Sequence, residues 1–228
     1  MGHPSDWDPI AAALAEFATH SLEIRAAADW QTGIQQLTEA MPTRSIVVGY
    51  SMGARIALGV AMEAAQRCDA LVLVSGNPGL ESEQAREQRR QSDQRLCQQI
   101  ESEPRESFLN QWYQQDVFAS TPETIRRQQV EQKLNRTSSD WPAILRSWSV
   151  SQQPNYWPRL RELQMPVLIV AGEDDEKYRK IAIRFQKEGP SENVTIKIVP
   201  DCGHIVHRER PEAVVQIVRD FVSLVGNS

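Results

Sequence analysis

Ser51 stands in the segment Gly49-Tyr50-Ser51-Met52-Gly53, a G-x-S-x-G spacing that puts a residue without a side chain two positions to either side of the hydroxyl. A serine hydroxyl is a poor nucleophile or base until a histidine takes its proton and a carboxylate orients that histidine. Both follow in chain order. Asp175 ends the acidic run Glu173-Asp174-Asp175 after "PVLIVAG", and His204 ends "DCGH" after "TIKIVP". Any of the three acids has the right chemistry; Asp175 is the expected partner, with Glu173 and Asp174 reading as a solvated loop. Among the histidines, His207 reads as a packing or hydrogen-bonding residue, and His3 and His20 have no comparable setting. Arg55 is the oddity. It lies in the apolar run "MGARIALGVAMEAA", where a guanidinium is costly unless an acid pairs with it. A salt bridge to a neighbouring acid and a contact to a ligand carboxylate both fit.

The elements that must hold these residues are written in the hydrophobic pattern. "SIVVG" at 45–49, "ALVLVSG" at 70–76, "MPVLIVAG" at 165–172 and "NVTIKIV" at 193–199 are apolar, β-branched runs suited to buried parallel strands. "THSLEI" at 19–24 alternates like a further short strand, with Leu22 and Ile24 on one face. Helical composition marks 9–18, "WQTGIQQLTEAM", a stretch from about Met52 to Arg67, and the amphipathic "PEAVVQIVRDFVSLV" at 211–225. Strands alternating with helices imply an α/β fold with a mostly parallel sheet. From Glu81 onward the chain turns Gln-, Arg- and Glu-rich, with Trp112, Trp141 and Trp148 and no buried strand. The organisation is therefore one core in two parts, 1–80 and 156–228, interrupted by a helical lid at 81–155. Ser51, Asp175 and His204 each fall at the C-terminal end of a strand, where open α/β sheets place their sites. The expected turn at Ser51 is an elbow in which Gly49 and Gly53 give clearance.

Composition narrows the partner. Of 228 residues, 40% are hydrophobic and 24% charged, and a net charge of −5 argues against nucleic acid. No run is long enough to span a bilayer and "MGHPSDWDPI" has no secretory signal pattern, so the expectation is a cytoplasmic protein with no membrane partner. Cys68, Cys97 and Cys202 are odd in number and lack metal-type spacing, which reads as free thiols and no metal site.

The order serine, acid, histidine on strand ends resembles the α/β-hydrolase fold. Beyond the triad, "GYSMGAR", "SGNPGLESEQAREQRRQSDQRL", "FLNQWYQQDVFAS", "YWPRLRELQMPVLIVAGEDDEKY" and "GHIVHRERPEAV" together resemble the 2-succinyl-6-hydroxy-2,4-cyclohexadiene-1-carboxylate synthase family of menaquinone and phylloquinone biosynthesis. The resemblance implies a lyase without cofactors. Ser51, activated by His204 and Asp175, would remove a ring proton from a small tricarboxylate substrate, and pyruvate would leave. The backbone N–H of Met52 would serve the oxyanion hole, and Tyr50, Arg55, Arg89 and Trp112 would bind substrate, with Arg86 on the same helix face as Arg89. Two other readings share the same residues: a carboxylester hydrolase using the triad, and a non-catalytic binding protein of the same fold.

The sequence also departs from that family. The family's first strand and its His-Gly loop, which donates the second oxyanion N–H, precede the segment that "MGHPSDWDP" resembles. A Pro-Gly-His-Gly-type loop after the second strand is absent, since "THSLEI" passes straight into "RAAADWQTGI". Lys133 stands near a lid position where the family carries arginine, which keeps the charge and loses the bidentate fork.

Overall fold

Period-two alternation in the apolar runs decides which side chains face which layer. In the computed structural model, which describes residues 2–135 and 140–226, these runs form β1 (Ser45–Tyr50), β2 (Cys68–Val74), β3 (Val167–Gly172) and β4 (Val194–Val199). They pair in parallel in the order β1-β2-β3-β4. Leu71, Leu73, Val167 and Ile169 enter a core on one face together with Trp30, Ile34, Leu58 and Phe185. Their neighbours Val72, Val74, Leu168 and Val170 enter a second core on the other face with Ile10, Val214, Val218 and Phe221.

Each layer is supplied by helices whose apolar stripes match. α2 (Trp30–Ala40), α3 (Met52–Glu63) and α8 (Glu176–Glu188) cover the first face, and α1 (Asp8–Ala13) and α10 (Pro211–Gly226) the second. In α10, Val214, Val218 and Phe221 recur at helical spacing, and all three are buried. Between β2 and β3 lie α4 (Glu83–Ser102), α5 (Arg105–Trp112), α6 (Glu123–Leu134) and α7 (Trp141–Trp148). They build a third cluster around Phe108, Leu109, Phe118 and Trp141, and that cluster includes Ile205 from the loop after β4.

Three local expectations are corrected. Residues 19–24 form no strand: the segment has neither ladder nor helix, although Leu22 and Ile24 both pack against the first core. Alternation alone gives a strand a face and no partner, and among the described residues β1 is the edge of the sheet. The helix expected over 9–18 stops at Ala13, where Leu14 leaves helical geometry (φ −110°, ψ 32°). The helix expected to reach Arg67 ends at Glu63, and Ala65–Arg67 is a separate 3-10 turn.

Candidate active site

Ser51 closes β1 and opens α3. Its backbone sits at φ 50°, ψ −107°, a strained conformation for a residue with a side chain, held by its own N–H donating to Val74 O at 2.8 Å and by Arg55 N donating back to Ser51 O at 3.1 Å. The turn is tight enough that a Cβ at Gly49 would lie 2.2 Å from Gly53 O. A Cβ at Gly53 meets nothing within 4 Å, so the clearance expected of both glycines is required only at Gly49.

Asp175 is the N-cap of α8. One carboxylate oxygen accepts from Tyr178 N at 3.3 Å and the other from His204 Nδ1–H at 2.6 Å. With Nδ1 carrying the proton, Nε2 is free to accept from Ser51 Oγ, 3.2 Å away. Asp175 and His204 are 6% and 2% exposed, so the bond between them lies out of water, whereas Ser51 is half-buried at its end of the relay. Glu173 and Asp174 are exposed, and Glu173 accepts from Asp201 N on the neighbouring loop. Of the three acids, Asp175 is the one that faces inward to His204.

Ser51 lies on the wall of a cavity of about 1030 Å³ lined by the inserted helices and also by β1 and the segment before it. Tyr50, Met52, Arg55, Arg89, Trp112 and Lys133 line the same cavity. Met52 is the first residue of α3, so its N–H has no partner within that helix. Burial pushes the Tyr50 phenol well above its usual range and keeps it a neutral hydrogen-bond donor, with its ring 5.3 Å from that of His204. Trp112 packs its ring 6.0 Å from Phe108 and 6.3 Å from Phe118.

Arg55 is the electrostatic peculiarity. Nη1 donates to Gln153 Oε1 at 3.2 Å and Nη2 to Trp148 O at 2.9 Å, both neutral acceptors. Among the described residues no carboxylate lies within salt-bridge distance of it, so the expected alternative of a neighbouring acid is not realised. Desolvation draws the guanidinium down to about 10, with Arg89 adding like-charge repulsion. Arg89 itself pairs with Asp93 at 2.8 Å, and Asp93 also accepts from Ser149 Oγ. Arg86, on the same helix, does not join the cavity: it donates to the backbone carbonyls of Leu80 (3.0 Å), Ser151 (3.2 Å) and Gln153 (2.8 Å). Lys133 is 3% exposed, donates to Gln129 Oε1 at 3.3 Å and lies 5.7 Å from the Tyr113 ring.

Sequence reasoning missed three contributors. Tyr178 sets its ring 4.7 Å from that of His204 at a tilt of 44°, and its place one turn into a helix capped by Asp175 was a readable signal. Gln153 is fully buried, holds Arg55 and donates to Asn77 O at 2.9 Å; nothing in its neighbourhood of sequence marks it. Ser75, at the end of β2, repeats the positive φ of Ser51 and donates to His204 O at 3.3 Å.

Comparison with known proteins gives this arrangement relatives. Residues 1–217 match the alpha/beta hydrolase family. The chain is 29% identical over 235 residues to the 2-succinyl-6-hydroxy-2,4-cyclohexadiene-1-carboxylate synthase of Enterobacter sp. (strain 638), with 98% of this chain and 88% of the relative covered. It is 33% identical over 178 residues to the protein of the same name from Salmonella newport (strain SL254), covering 78% of this chain and 68% of that one. Among solved structures, MenH from S. aureus shares the fold with a TM-score of 0.87 at 24% identity, over 98% of this chain and 90% of that chain.

Proposed function

Because the chain belongs to the alpha/beta hydrolase family, and within it to the 2-succinyl-6-hydroxy-2,4-cyclohexadiene-1-carboxylate synthases, we propose that it eliminates pyruvate from 2-succinyl-5-enolpyruvyl-6-hydroxy-3-cyclohexene-1-carboxylate in menaquinone biosynthesis. The enzyme is a carbon–oxygen lyase that uses the triad for proton transfer. Three buried free cysteines suit a reducing, cytoplasmic setting, and no helix among the described residues is long and apolar enough to cross a membrane.

The observation that carries the reading is Arg55, a desolvated guanidinium one turn from Ser51 whose hydrogen-bond partners in the protein are neutral. A substrate with three carboxylates supplies the missing anion, and a planar fork matches a carboxylate bidentately. Arg89, Lys133, Trp112 and Tyr50 line the rest of the binding surface, with α4–α7 acting as the lid.

In the reaction, Ser51 Oγ takes the ring proton while its own proton passes to His204 Nε2. Asp175 keeps the Nδ1–H tautomer and stabilises the imidazolium that forms. The electron pair of the broken C–H bond moves toward the succinyl carbonyl, where the Met52 N–H meets the developing oxyanion. The pair then returns to form a double bond from the deprotonated carbon, the ring's existing double-bond pair shifts one position along, and the C–O bond to the enolpyruvyl group breaks, which leaves a conjugated diene. The leaving enol recovers the proton and tautomerises to pyruvate.

Purified protein incubated with the enolpyruvyl substrate is expected to release pyruvate, followed by a coupled reductase. Ser51→Ala should lower kcat by roughly 10²–10⁴-fold. Arg55→Ala should cost about 2–4 kcal/mol in kcat/KM, because it leaves a substrate carboxylate without its partner. Turnover of short nitrophenyl esters with no pyruvate release would replace the lyase with an esterase. Unchanged kinetics in Arg55→Ala would remove the carboxylate role.

A further inference from the structure

The loop that carries His204 is gripped by a carboxylate that the triad does not use. Glu209, the last residue of α9 (Val206–Glu209), accepts from Gly203 N at 2.7 Å through one oxygen and from Ile205 N at 3.0 Å through the other. These are the N–H groups of the two residues that flank His204 in the chain. The second oxygen also accepts at 2.8 Å from Oγ1 of Thr121, a buried residue on the turn between α5 and α6. On the opposite side Ser75 Oγ donates to His204 O. The packing is close at the same point: a Cβ at Gly203 would lie 2.7 Å from Ser120 Oγ, 3.1 Å from Thr121 N and 3.2 Å from Glu209 Oε1.

We propose that Glu209 is the positioning residue for His204, and that through Thr121 it ties the histidine's loop to the inserted helices. One carboxylate holding the N–H groups of both chain neighbours of His204 clamps the short stretch that carries it, and so restrains where its side chain starts. Both loop bonds are charge-assisted and run from buried Gly203 and Ile205 to the half-buried Glu209 carboxylate. The imidazole must meet two partners at once, Asp175 Oδ2 at 2.6 Å and Ser51 Oγ at 3.2 Å, and a misplacement of about 1 Å in such a relay costs on the order of 10²-fold in rate. Glu209 has no contact to Ser51 or Asp175 and acts only through the loop. Its third bond makes the setting of the histidine depend on where the turn at Thr121 sits, so a movement of the inserted helices is felt at the base.

The inference rests on the proposed role of His204 in proton transfer, and its test separates the two. In Glu209→Gln one oxygen becomes an NH2 group facing an N–H, so one loop bond is lost with little change of shape. The expected result is a 10- to 100-fold lower kcat with KM within about twofold, together with a shifted or broadened low-field proton resonance of His204 Nδ1–H. The resonance needs no substrate, so it reports on the clasp even where the pyruvate assay of the parent protein is silent. Retained kcat and an unmoved resonance in Glu209→Gln would overturn the positioning role. Thr121→Val removes only the tie to the inserted helices: a KM raised threefold or more with the resonance in place is expected. An unchanged KM overturns the tie. Should Glu209→Gln fail to fold, Glu209→Asp gives the same readout, with partial loss of kcat and a displaced resonance expected, and parent-like values overturning the role.

Discussion

Two histidines three residues apart live in opposite surroundings. His204 has both ring nitrogens engaged, one by Asp175 and one by Ser51. His207 is wedged between Trp7, whose ring is 4.9 Å away and nearly parallel, and Tyr50 at 4.5 Å, with its Nδ1 unpartnered. Burial, opposed by Asp6, pulls His207 down to about 3. A folded value below the unfolded one of about 6.5 means that the unfolded chain takes a proton the folded protein refuses. Stability is therefore insensitive to this group above about pH 6.5 and falls by about 1.4 kcal/mol per pH unit below it, toward pH 3. His207→Phe, which keeps a flat ring between Trp7 and Tyr50, should flatten the acid limb of the unfolding free energy measured in urea between about pH 6 and 4. Parallel acid limbs for the two proteins would assign the loss to other groups. At this scale the triad was legible because each member follows an apolar strand and its punctuation. The environment of His207 was not, because its stacking partner Trp7 lies at the other end of the chain.

The elbow shows what one element imposes on its neighbours. Gly49 is the last small residue of β1 before the turn, and the returning first turn of α3 passes directly over it. Gly49→Ala should push that turn away, costing several kcal/mol or preventing folding, as strain at a backbone contact does. Gly53→Ala, placed in open space within the same helix, should be neutral or stabilising by up to about 1 kcal/mol. Thermal unfolding of the two variants checks the asymmetry, and equal losses would mean that the glycines act alike. β2 and β3 could be read from runs of Val, Ile and Leu, since burial on both faces leaves a continuous apolar string; β1 and β4, at the sheet edges, are partly exposed and were legible from their β-branched residues. The misread segment 19–24 had the alternation of a strand, but its side chains pack on a core with no ladder beside them. Glu209 was invisible for a related reason. Its value comes from three donors on two elements, and no spacing encodes them.

For the whole molecule, the order β1-β2-β3-β4 means that every strand pairs with its neighbour in sequence. The connections are unequal. The one between β2 and β3 carries α4–α7 and is roughly five times as long as the other two, which adds about 1.4 kcal/mol of loop-closure entropy. β1–β2 and β3–β4 can therefore form as local units, with the central seam closing last. Ser51 belongs to the first unit, and Asp175 and His204 belong to the second. Catalysis thus becomes a clock for one late event in folding. When denatured protein is diluted from urea, far-ultraviolet circular dichroism should recover ahead of pyruvate release, and the lag should lengthen if residues are inserted between α4 and α5. Recovery of both signals with one rate constant would place seam closure at the same step as the strands themselves.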